Sequence, residues 1–265
     1  MRVRPLTAGL VTCTFGALAM PAPAGDWGAY EVEERRSGYT YMTDATRAIQ
    51  DDEFQNPGML WVEQGEEAWQ AVDGNEGKSC SSCHDDAAES MATVGATYPV
   101  YDDKLDKLVN IEQRINQCRT ERMGAGEWKW ESNELLSMTT YVRHQALGVP
   151  IQPAVDGPAK PFFEAGKAFY EQRRGQLDLA CMHCHRMYPG GQLRANVLSQ
   201  GHSNGFPTYR LKWQGVGSLH RRLRGCNDQV RAEPYPFGAQ EYVNVELYLA
   251  WRGRGLPVES PAVRN

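Results

Sequence analysis

The sequence has no long apolar run beyond its first twenty residues, no excess of positive charge, and no methionine after Met187. A membrane span needs about 20 consecutive apolar residues, so none is predicted after residue 20. The formal net charge of −5 argues against a nucleic acid or an anionic membrane as the partner. The missing methionine removes thioether sulfur as a metal ligand from the last quarter of the chain.

The first 24 residues have the pattern of a cleaved secretory leader. Two arginines precede an apolar stretch at 6–20, and the Ala-Pro-Ala sequence at 22–24 supplies a small-residue cleavage site. Cys13 follows a threonine, which does not fit a lipoprotein signal. We therefore expect residues 1–24 to be a signal peptide and the protein to work in the bacterial periplasm.

Cysteine is scarce, but four of the seven cysteines stand in two copies of one motif. The motif is Cys-x-x-Cys-His, at residues 80–84 and 181–185. It is the attachment site of c-type haem, whose vinyl groups bind both cysteines and whose iron binds the histidine. Zinc or redox sites with incidental histidines are the alternative. We expect two covalently bound haems c, on Cys80, Cys83 and His84 and on Cys181, Cys184 and His185.

Residues before the two motifs also repeat, at a spacing of 101 positions. They are Gly65, Trp69 and Gly74 in the first copy and Gly166, Tyr170 and Gly175 in the second. A glycine followed four residues later by an aromatic resembles the first helix of a cytochrome c domain. The repeat predicts two copies of one domain.

Four prolines between residues 150 and 161 mark the boundary between the copies. We predict an arm at 25–55 that packs on the first domain or on a partner, a first cytochrome c domain at 56–149, a linker at 150–161 and a second domain at 162–265. Apolar spacing predicts helices at 61–72, 103–119, 133–146, 162–173, 216–223 and 239–251. The expected fold is mainly α, a tandem pair of cytochrome c-like domains, each built around a covalently bound haem.

Two cysteines remain, one in each predicted domain. Cys118 lies 34 residues after His84, and Cys226 lies 41 residues after His185. Their matched placement suggests that both are distal thiolate ligands of the haem irons, so that His84 and Cys118 hold one iron and His185 and Cys226 hold the other. Met187 is too close to His185 to reach the opposite face of its haem.

Other ligand sets stay open at the level of the sequence. An oxidising compartment permits a Cys118–Cys226 disulfide instead. The second haem has His202 and His220 as alternative distal ligands. For the first haem the further candidates are Met91, Met123, Met138 and His144.

Basic residues concentrate around Cys226, against the acidic balance of the whole chain. Between residues 206 and 231 the only acidic side chain is Asp228, and the basic ones are Arg210, Lys212, Arg221, Arg222, Arg224 and Arg231. Positive charge stabilises a thiolate, and guanidinium groups bind oxyanions. Arg222 lies one helical turn before Cys226 and can share its face. We expect a cysteine nucleophile with an anionic substrate held by Arg222, while Arg221, Arg224 and Lys212 pair with haem propionates or face solvent.

These features resemble the SoxA family, the larger subunit of the SoxAX cytochrome c complexes of bacterial sulfur oxidation. The resemblance covers most of the chain after the leader. It is most specific at 206–213, FPTYRLKW, and at 217–235, GSLHRRLRGCNDQVRAEPY, and it extends to the tail at 247–264. Because both haem motifs and Cys118 are present, the chain resembles the branch of the family with two haems.

The resemblance implies an L-cysteine S-thiosulfotransferase. Such a protein pairs with a SoxX-like monohaem cytochrome c and joins thiosulfate to a cysteine of a SoxYZ-like carrier protein, while two electrons pass to an acceptor cytochrome c. It implies that Cys226 is catalytic, often as a persulfide, that Arg222 binds substrate, and that Arg252 is a weaker candidate for the same pocket. The rival functions are a thiosulfate dehydrogenase that forms tetrathionate and a dihaem electron-transfer cytochrome.

Overall fold

The computed structural model describes residues 35–265, which hold eleven α-helices and seven short strands. The helices are α1 (Asp44–Asp51), α2 (Met59–Gln70), α3 (Ser81–His84), α4 (Ala87–Ser90), α5 (Val94–Thr97), α6 (Ile111–Arg122), α7 (Asn133–His144), α8 (Lys160–Glu171), α9 (Cys181–His185), α10 (Leu219–Gln229) and α11 (Gln240–Arg252). The strands are β1 (Val100–Asp102), β2 (Lys107–Val109), β3 (Gln192–Leu193), β4 (Asn196–Val197), β5 (Thr208–Arg210), β6 (Gly215–Gly217) and β7 (Ala262–Arg264). Within this range no helix is long and apolar enough to cross a bilayer. The predicted leader and the first part of the arm lie outside the described residues.

Local sequence explains where the main helices begin. The hydroxyls of Ser132 and Ser218 accept hydrogen bonds from backbone N–H groups in the first turns of α7 and α10. Asn110 forms a capping box with Gln113 at the start of α6. These caps satisfy N–H groups that have no partner within the helix.

Two of the six predicted helices have wrong boundaries. α6 begins at Ile111 rather than at 103, because β1 and β2 form an antiparallel hairpin before it. α10 begins at Leu219 and runs on to Gln229, because β5 and β6 form an equivalent hairpin over the residues assigned to its start. Three-residue strands are too short for apolar spacing to separate them from a helix. The other four helices agree with the prediction to within two residues.

Each half of the described structure is built on one close pair of helices, α2 with α7 and α8 with α11. A glycine at each crossing lets the two backbones touch. A Cβ atom at Gly65 would lie 2.4 Å from the carbonyl oxygen of Ser137, and one at Gly166 would lie 2.0 Å from that of Asn244. These glycines belong to the repeat found in the sequence, which therefore reflects a shared packing geometry.

A second repeat, at a spacing of 108 residues, appears only in the structure. The hairpin β1–β2 with helix α6 corresponds to the hairpin β5–β6 with helix α10, and the strand registers match. Cys118 and Cys226 stand at equivalent positions in the two helices, counted from the capping residues Asn110 and Ser218. Each half therefore combines a helix pair, a Cys-x-x-Cys-His helix and a hairpin–helix unit that carries one further cysteine.

Buried polar groups connect the two halves. The side chain of Asn110 donates to Glu246 Oε2 at 3.1 Å, and His220 Nε2 lies 3.4 Å from the same oxygen. The His220 ring stacks on Trp130 with 4.7 Å between ring centroids. Burial and the Glu246 carboxylate raise the pKa of the nearby Glu112 to about 8. These contacts hold His220 at the boundary between the two halves.

The described part of the predicted arm lies on the C-terminal segment. Helix α1 packs against β7, which pairs in parallel with β5. Gln50 Oε1 accepts a hydrogen bond from the backbone of Val263 at 3.0 Å, and Asn56 donates to the carbonyl of Pro261 at 2.9 Å. The structure thus places these residues on the second half of the molecule, whereas the sequence predicted packing on the first domain or on a partner.

Candidate active site

The second Cys-x-x-Cys-His motif lines a cavity of about 260 Å³. Helix α9 contributes Cys181, Cys184 and His185, and α10 contributes Cys226. Much of the remaining wall is apolar and includes Phe169, Leu179, Leu219, Leu223, Val245 and Leu249. The structure therefore brings together the four residues that the sequence assigned to the second haem.

Contacts with the backbone hold the ring of His185 in place. Its Nδ1 lies 2.8 Å from the carbonyl oxygen of Ser199, so that Nδ1 donates and Nε2 is left to bind metal. Gly201 has φ +74° and lies against the ring, where a Cβ atom would come within 2.7 Å of His185 Cγ. A side chain at position 201 would therefore displace the imidazole.

The thiol of Cys226 differs from the other two thiols of this cavity. Burial acts to raise its pKa, but the Arg222 guanidinium and a hydrogen bond to His185 outweigh burial, and the pKa falls to about 7. For Cys181, burial and the charge on Cys226 raise the pKa to about 12, and the same causes raise that of Cys184. Cys226 is thus the cysteine of this cavity that holds a negative charge most readily.

This donor set fits a covalently bound haem c. Two thiols for the vinyl groups, an oriented imidazole and a thiolate complete what a six-coordinate c-type haem needs. In residues 35–265 no group of three or more His, Cys, Asp or Glu side chains is placed to hold a metal ion directly. The paired thiols and the apolar wall are the surroundings that a haem requires.

The first motif has a similar setting. Burial and the charge on Cys118 raise the pKa of Cys80 to about 11. Burial also raises the pKa of Cys118, with a contribution from Cys83. These mutual effects place Cys118 near the two cysteines of the first motif, and its role as a distal ligand stays a prediction. The ring of His84 lies 5.8 Å from that of Trp69.

The structure does not contain the alternative disulfide. Cys118 and Cys226 are both free thiols and lie beside different haem motifs. His202 does line the cavity of the second motif, but its Nε2 lies 2.9 Å from Gln200 Oε1. Cys226 therefore remains the better candidate for the distal ligand of the second haem.

Two of the alternative ligands predicted for the first haem pack in the same apolar cluster as Cys80. Met138 is buried in the apolar core of the first half, and Met91 packs on the edge of that core. Met123 is buried at the end of α6. His144 Nδ1 lies 3.2 Å from a backbone carbonyl of the C-terminal segment.

A second cavity, of about 460 Å³, adjoins the first and is called here the basic channel. Its single carboxylate is Asp228, and its cations are Arg210, Lys212, Arg221, Arg222 and Arg224. His185, Arg210 and Arg222 line both cavities. The basic channel is thus a positively charged path toward the thiol of Cys226, which suits an anionic substrate.

Most cations of the basic channel already have partners. Arg221 lies 3.9 Å from a carboxylate oxygen of the first half, and Arg224 donates to a backbone carbonyl. Arg210 donates through Nε to another backbone carbonyl at 2.8 Å. Among the described residues, no carboxylate or carbonyl partner holds the guanidinium of Arg222. Within residues 35–265, Arg222 and Lys212 are thus the two channel cations without such a partner, and Arg222, which lies one helical turn before Cys226, stays the predicted anion ligand.

Arg252 does not line the basic channel. Its side chain is fully buried, at 0% exposure, and donates to the carbonyl of Gln200 at 3.2 Å. The ring of Tyr170 lies 4.3 Å from its guanidinium carbon. These contacts hold Arg252 against the loop that carries Gln200, and its place in the substrate pocket stays a prediction.

Comparisons with known proteins extend over both halves of the chain. A family model for the SoxA/TsdA cytochrome c domain matches residues 64–151. The L-cysteine S-thiosulfotransferase subunit SoxA of Pseudaminobacter salicylatoxidans is 46% identical over 92% of this chain and 84% of its own length. The subunit of the same name from Paracoccus pantotrophus is 42% identical over 86% and 79%. A crystal structure of SoxXA from P. pantotrophus is similar with a TM-score of 0.84 at 41% identity, covering 87% of each chain.

Proposed function

The chain belongs to the SoxA family, and from that premise we propose that it joins thiosulfate to a cysteine of a SoxYZ-like carrier protein. In this reaction the sulfane sulfur of thiosulfate bonds to the carrier sulfur, and one proton and two electrons are released. The observation that carries the proposal is the thiol of Cys226 one helical turn from the Arg222 guanidinium, where the basic channel adjoins the cavity of the second motif.

The proposed cofactors are two haems c, one on the motif at 80–84 with Cys118 and one on the motif at 181–185 with Cys226. When bound, the second haem would accept electrons from the reacting sulfur atoms and pass them to an acceptor cytochrome c. The similarity to SoxXA supports a SoxX-like monohaem cytochrome c as partner. The leader-like sequence at 1–24 supports a periplasmic location.

Arg222 binds the substrate in this proposal. Its planar guanidinium can donate two parallel hydrogen bonds to sulfonate oxygens of thiosulfate. Arg210, Arg221 and Arg224 are held by protein partners and contribute positive potential along the basic channel. Anchoring the sulfonate in this way directs the sulfane sulfur toward Cys226, one helical turn away.

Cys226 performs the covalent work. Its sulfur bonds to the sulfane sulfur of thiosulfate as two electrons leave the pair. The carrier thiolate then attacks the sulfane sulfur, and the bond to Cys226 breaks with Cys226 leaving as thiolate. Burial acts to raise the pKa of Cys226, but the Arg222 guanidinium lowers it and so favours its departure as a thiolate. If Cys226 carries a persulfide, the terminal sulfur makes and breaks the same bonds.

The proposal is tested by the mass of the carrier after reaction. The protein, its small cytochrome partner, oxidised cytochrome c and thiosulfate are mixed with the carrier protein. We expect the carrier to gain a thiosulfonate group on its cysteine. Tetrathionate with an unmodified carrier would indicate a thiosulfate dehydrogenase, and neither product would indicate an electron-transfer cytochrome.

Replacing Arg222 with glutamine should raise the KM for thiosulfate about tenfold to a hundredfold, because a hydrogen bond to a charged group contributes about 1.5–3 kcal/mol. Arg222→Lys should recover part of the loss, since it keeps the charge and loses the planar fork. Steady-state rates of carrier modification give the measurement. Arg231→Gln is the matched control, because Arg231 does not line the basic channel. An unchanged KM in Arg222→Gln would contradict the assignment.

A further inference from the structure

The first half contains a copy of the arginine–cysteine pair. Arg114 precedes Cys118 by one helical turn on α6, as Arg222 precedes Cys226 on α10. The 108-residue repeat makes these positions equivalent. Both halves therefore place a guanidinium one turn before a cysteine that lies beside a haem motif.

Arg114 differs from Arg222 because three side chains hold it. It forms an ion pair with Asp102 at 2.7 Å, donates to Gln117 Oε1 at 2.6 Å and donates to the hydroxyl of Tyr98 at 3.3 Å. Burial acts to raise the pKa of Asp102, but Arg114 and nearby backbone N–H groups lower it overall. Asp102 is therefore a carboxylate that neutralises Arg114 and takes the place of an external anion.

The second half has no side-chain hydrogen-bond acceptor at any of the three equivalent positions. Tyr98, Asp102 and Gln117 correspond to Phe206, Arg210 and Gly225. The hydroxyl is lost, the carboxylate is replaced by a second guanidinium, and the amide gives way to a glycine that lines the basic channel. Burial and the charge of Arg222 lower the pKa of Arg210 to about 10, as expected for two neighbouring cations. The same framework is thus open to anions in one half and neutralised in the other.

We propose that Arg114 and Cys118 form a closed copy of the anion site, and that Asp102 and Gln117 keep it closed. The inference rests on the proposed function, since it takes Arg222 and Cys226 as the open form. Asp102 then acts as a specificity-determining residue that excludes thiosulfate from the thiol of the first haem. Opened, the copy would bind a small sulfur oxyanion, because the Arg114 side chain is 32% exposed and can be reached from solvent.

The test is thiosulfate binding by the haem-loaded protein carrying Asp102→Asn and Gln117→Ala. Asparagine keeps an oxygen for the backbone N–H groups of Lys104 and Leu105, which Asp102 accepts at 2.9 and 3.1 Å. Titration calorimetry without carrier or electron acceptor should give one equivalent for the wild type. The double variant should bind a second equivalent beside Arg114. Its affinity there should be at least about tenfold higher than that of the wild type at the same site. A Cys118→Met variant should lose one ferric electron paramagnetic resonance signal, and this loss assigns that signal to the first haem. In the double variant the same signal should shift when thiosulfate binds.

Two control variants separate the possible results. Adding Arg114→Gln to the double variant should remove the second equivalent. Asp73→Asn removes the carboxylate paired with Arg119, next to Cys118, and should leave one equivalent. A double variant with an intact signal of the first haem and one equivalent would overturn the inference. If Arg222→Gln leaves the single equivalent of the wild type unchanged, the proposed function fails instead.

The converse substitution keeps the inference testable even where the double variant does not fold. Arg210→Asp puts a carboxylate at the position equivalent to Asp102, where it should pair with Arg222 and close the second site. We expect thiosulfate affinity to fall about tenfold further in Arg210→Asp than in Arg210→Gln. Equal losses in these two variants would contradict the closing role of a carboxylate at this position.

Discussion

Replacing Cys226 with alanine should lower the rate of thiosulfate transfer to the carrier by a factor on the order of a thousand or more. The substitution removes the sulfur that forms and breaks the S–S bonds. Neither of the other two thiols in the cavity of the second motif has a lowered pKa. Haem should stay attached, because attachment uses Cys181 and Cys184. The carrier mass reports transfer, and haem absorbance under denaturing conditions reports attachment.

Two further substitutions separate the roles of Cys226. Cys226→Met keeps a sulfur that can bind iron but cannot form a disulfide, so it should be as inactive as Cys226→Ala. Cys118→Ala is the matched control in the first half, and it should keep most of the transfer activity because its thiol does not adjoin the basic channel. Substantial transfer by Cys226→Met would show that the residue acts only as an iron ligand.

Replacing Gly166 with alanine should destabilise the protein by about 3 kcal/mol. A Cβ atom at this position would lie 2.0 Å from the carbonyl oxygen and 2.6 Å from the carbonyl carbon of Asn244, so α8 and α11 would have to separate. Alanine is favoured over glycine in a helix by about 1 kcal/mol, which is too little to offset the clash. At the usual scaling the melting temperature should fall by roughly 10 °C.

Thermal unfolding followed by circular dichroism measures this effect. Gly65→Ala should behave similarly, because a Cβ atom there meets backbone and side-chain atoms of α7 at 2.4 Å. Gly126→Ala is the control, since a Cβ atom at position 126 has no neighbour within 4 Å. A melting temperature of Gly166→Ala equal to that of Gly126→Ala would contradict the close helix contact.

Haem attachment and the helix pairs could be predicted from the sequence for a physical reason. The attachment motif occupies five consecutive residues, so its chemistry needs no information from distant parts of the chain. Gly65 and Gly166 repeat with their aromatics because each helix crossing imposes the same steric limit. The hairpins before α6 and α10 were missed, because three-residue strands leave too little periodicity to recognise.

The supports of the site could not be predicted. Ser199 orients His185 from 14 residues away, and Gly201 leaves room for the ring. In the sequence, Gly201 was the only sign of this support for His185. The role of the glycine depends on where its loop folds back against the imidazole ring. The complete burial of Arg252, which the sequence offered as a weaker substrate ligand, also depends on the tertiary structure.

The sequence by itself determined the haem chemistry, the position of the candidate nucleophile and the concentration of positive charge around it. These depend on residue type and short spacing. Tertiary structure alone decided which guanidinium groups are available to bind an anion. Arg114 and Arg222 have the same local setting in their helices, yet Asp102 neutralises Arg114, whereas Arg222 has the cation Arg210 as its neighbour. Because electrostatic interactions act through space, the partners of a charged group are set by the fold and not by its neighbours in the chain.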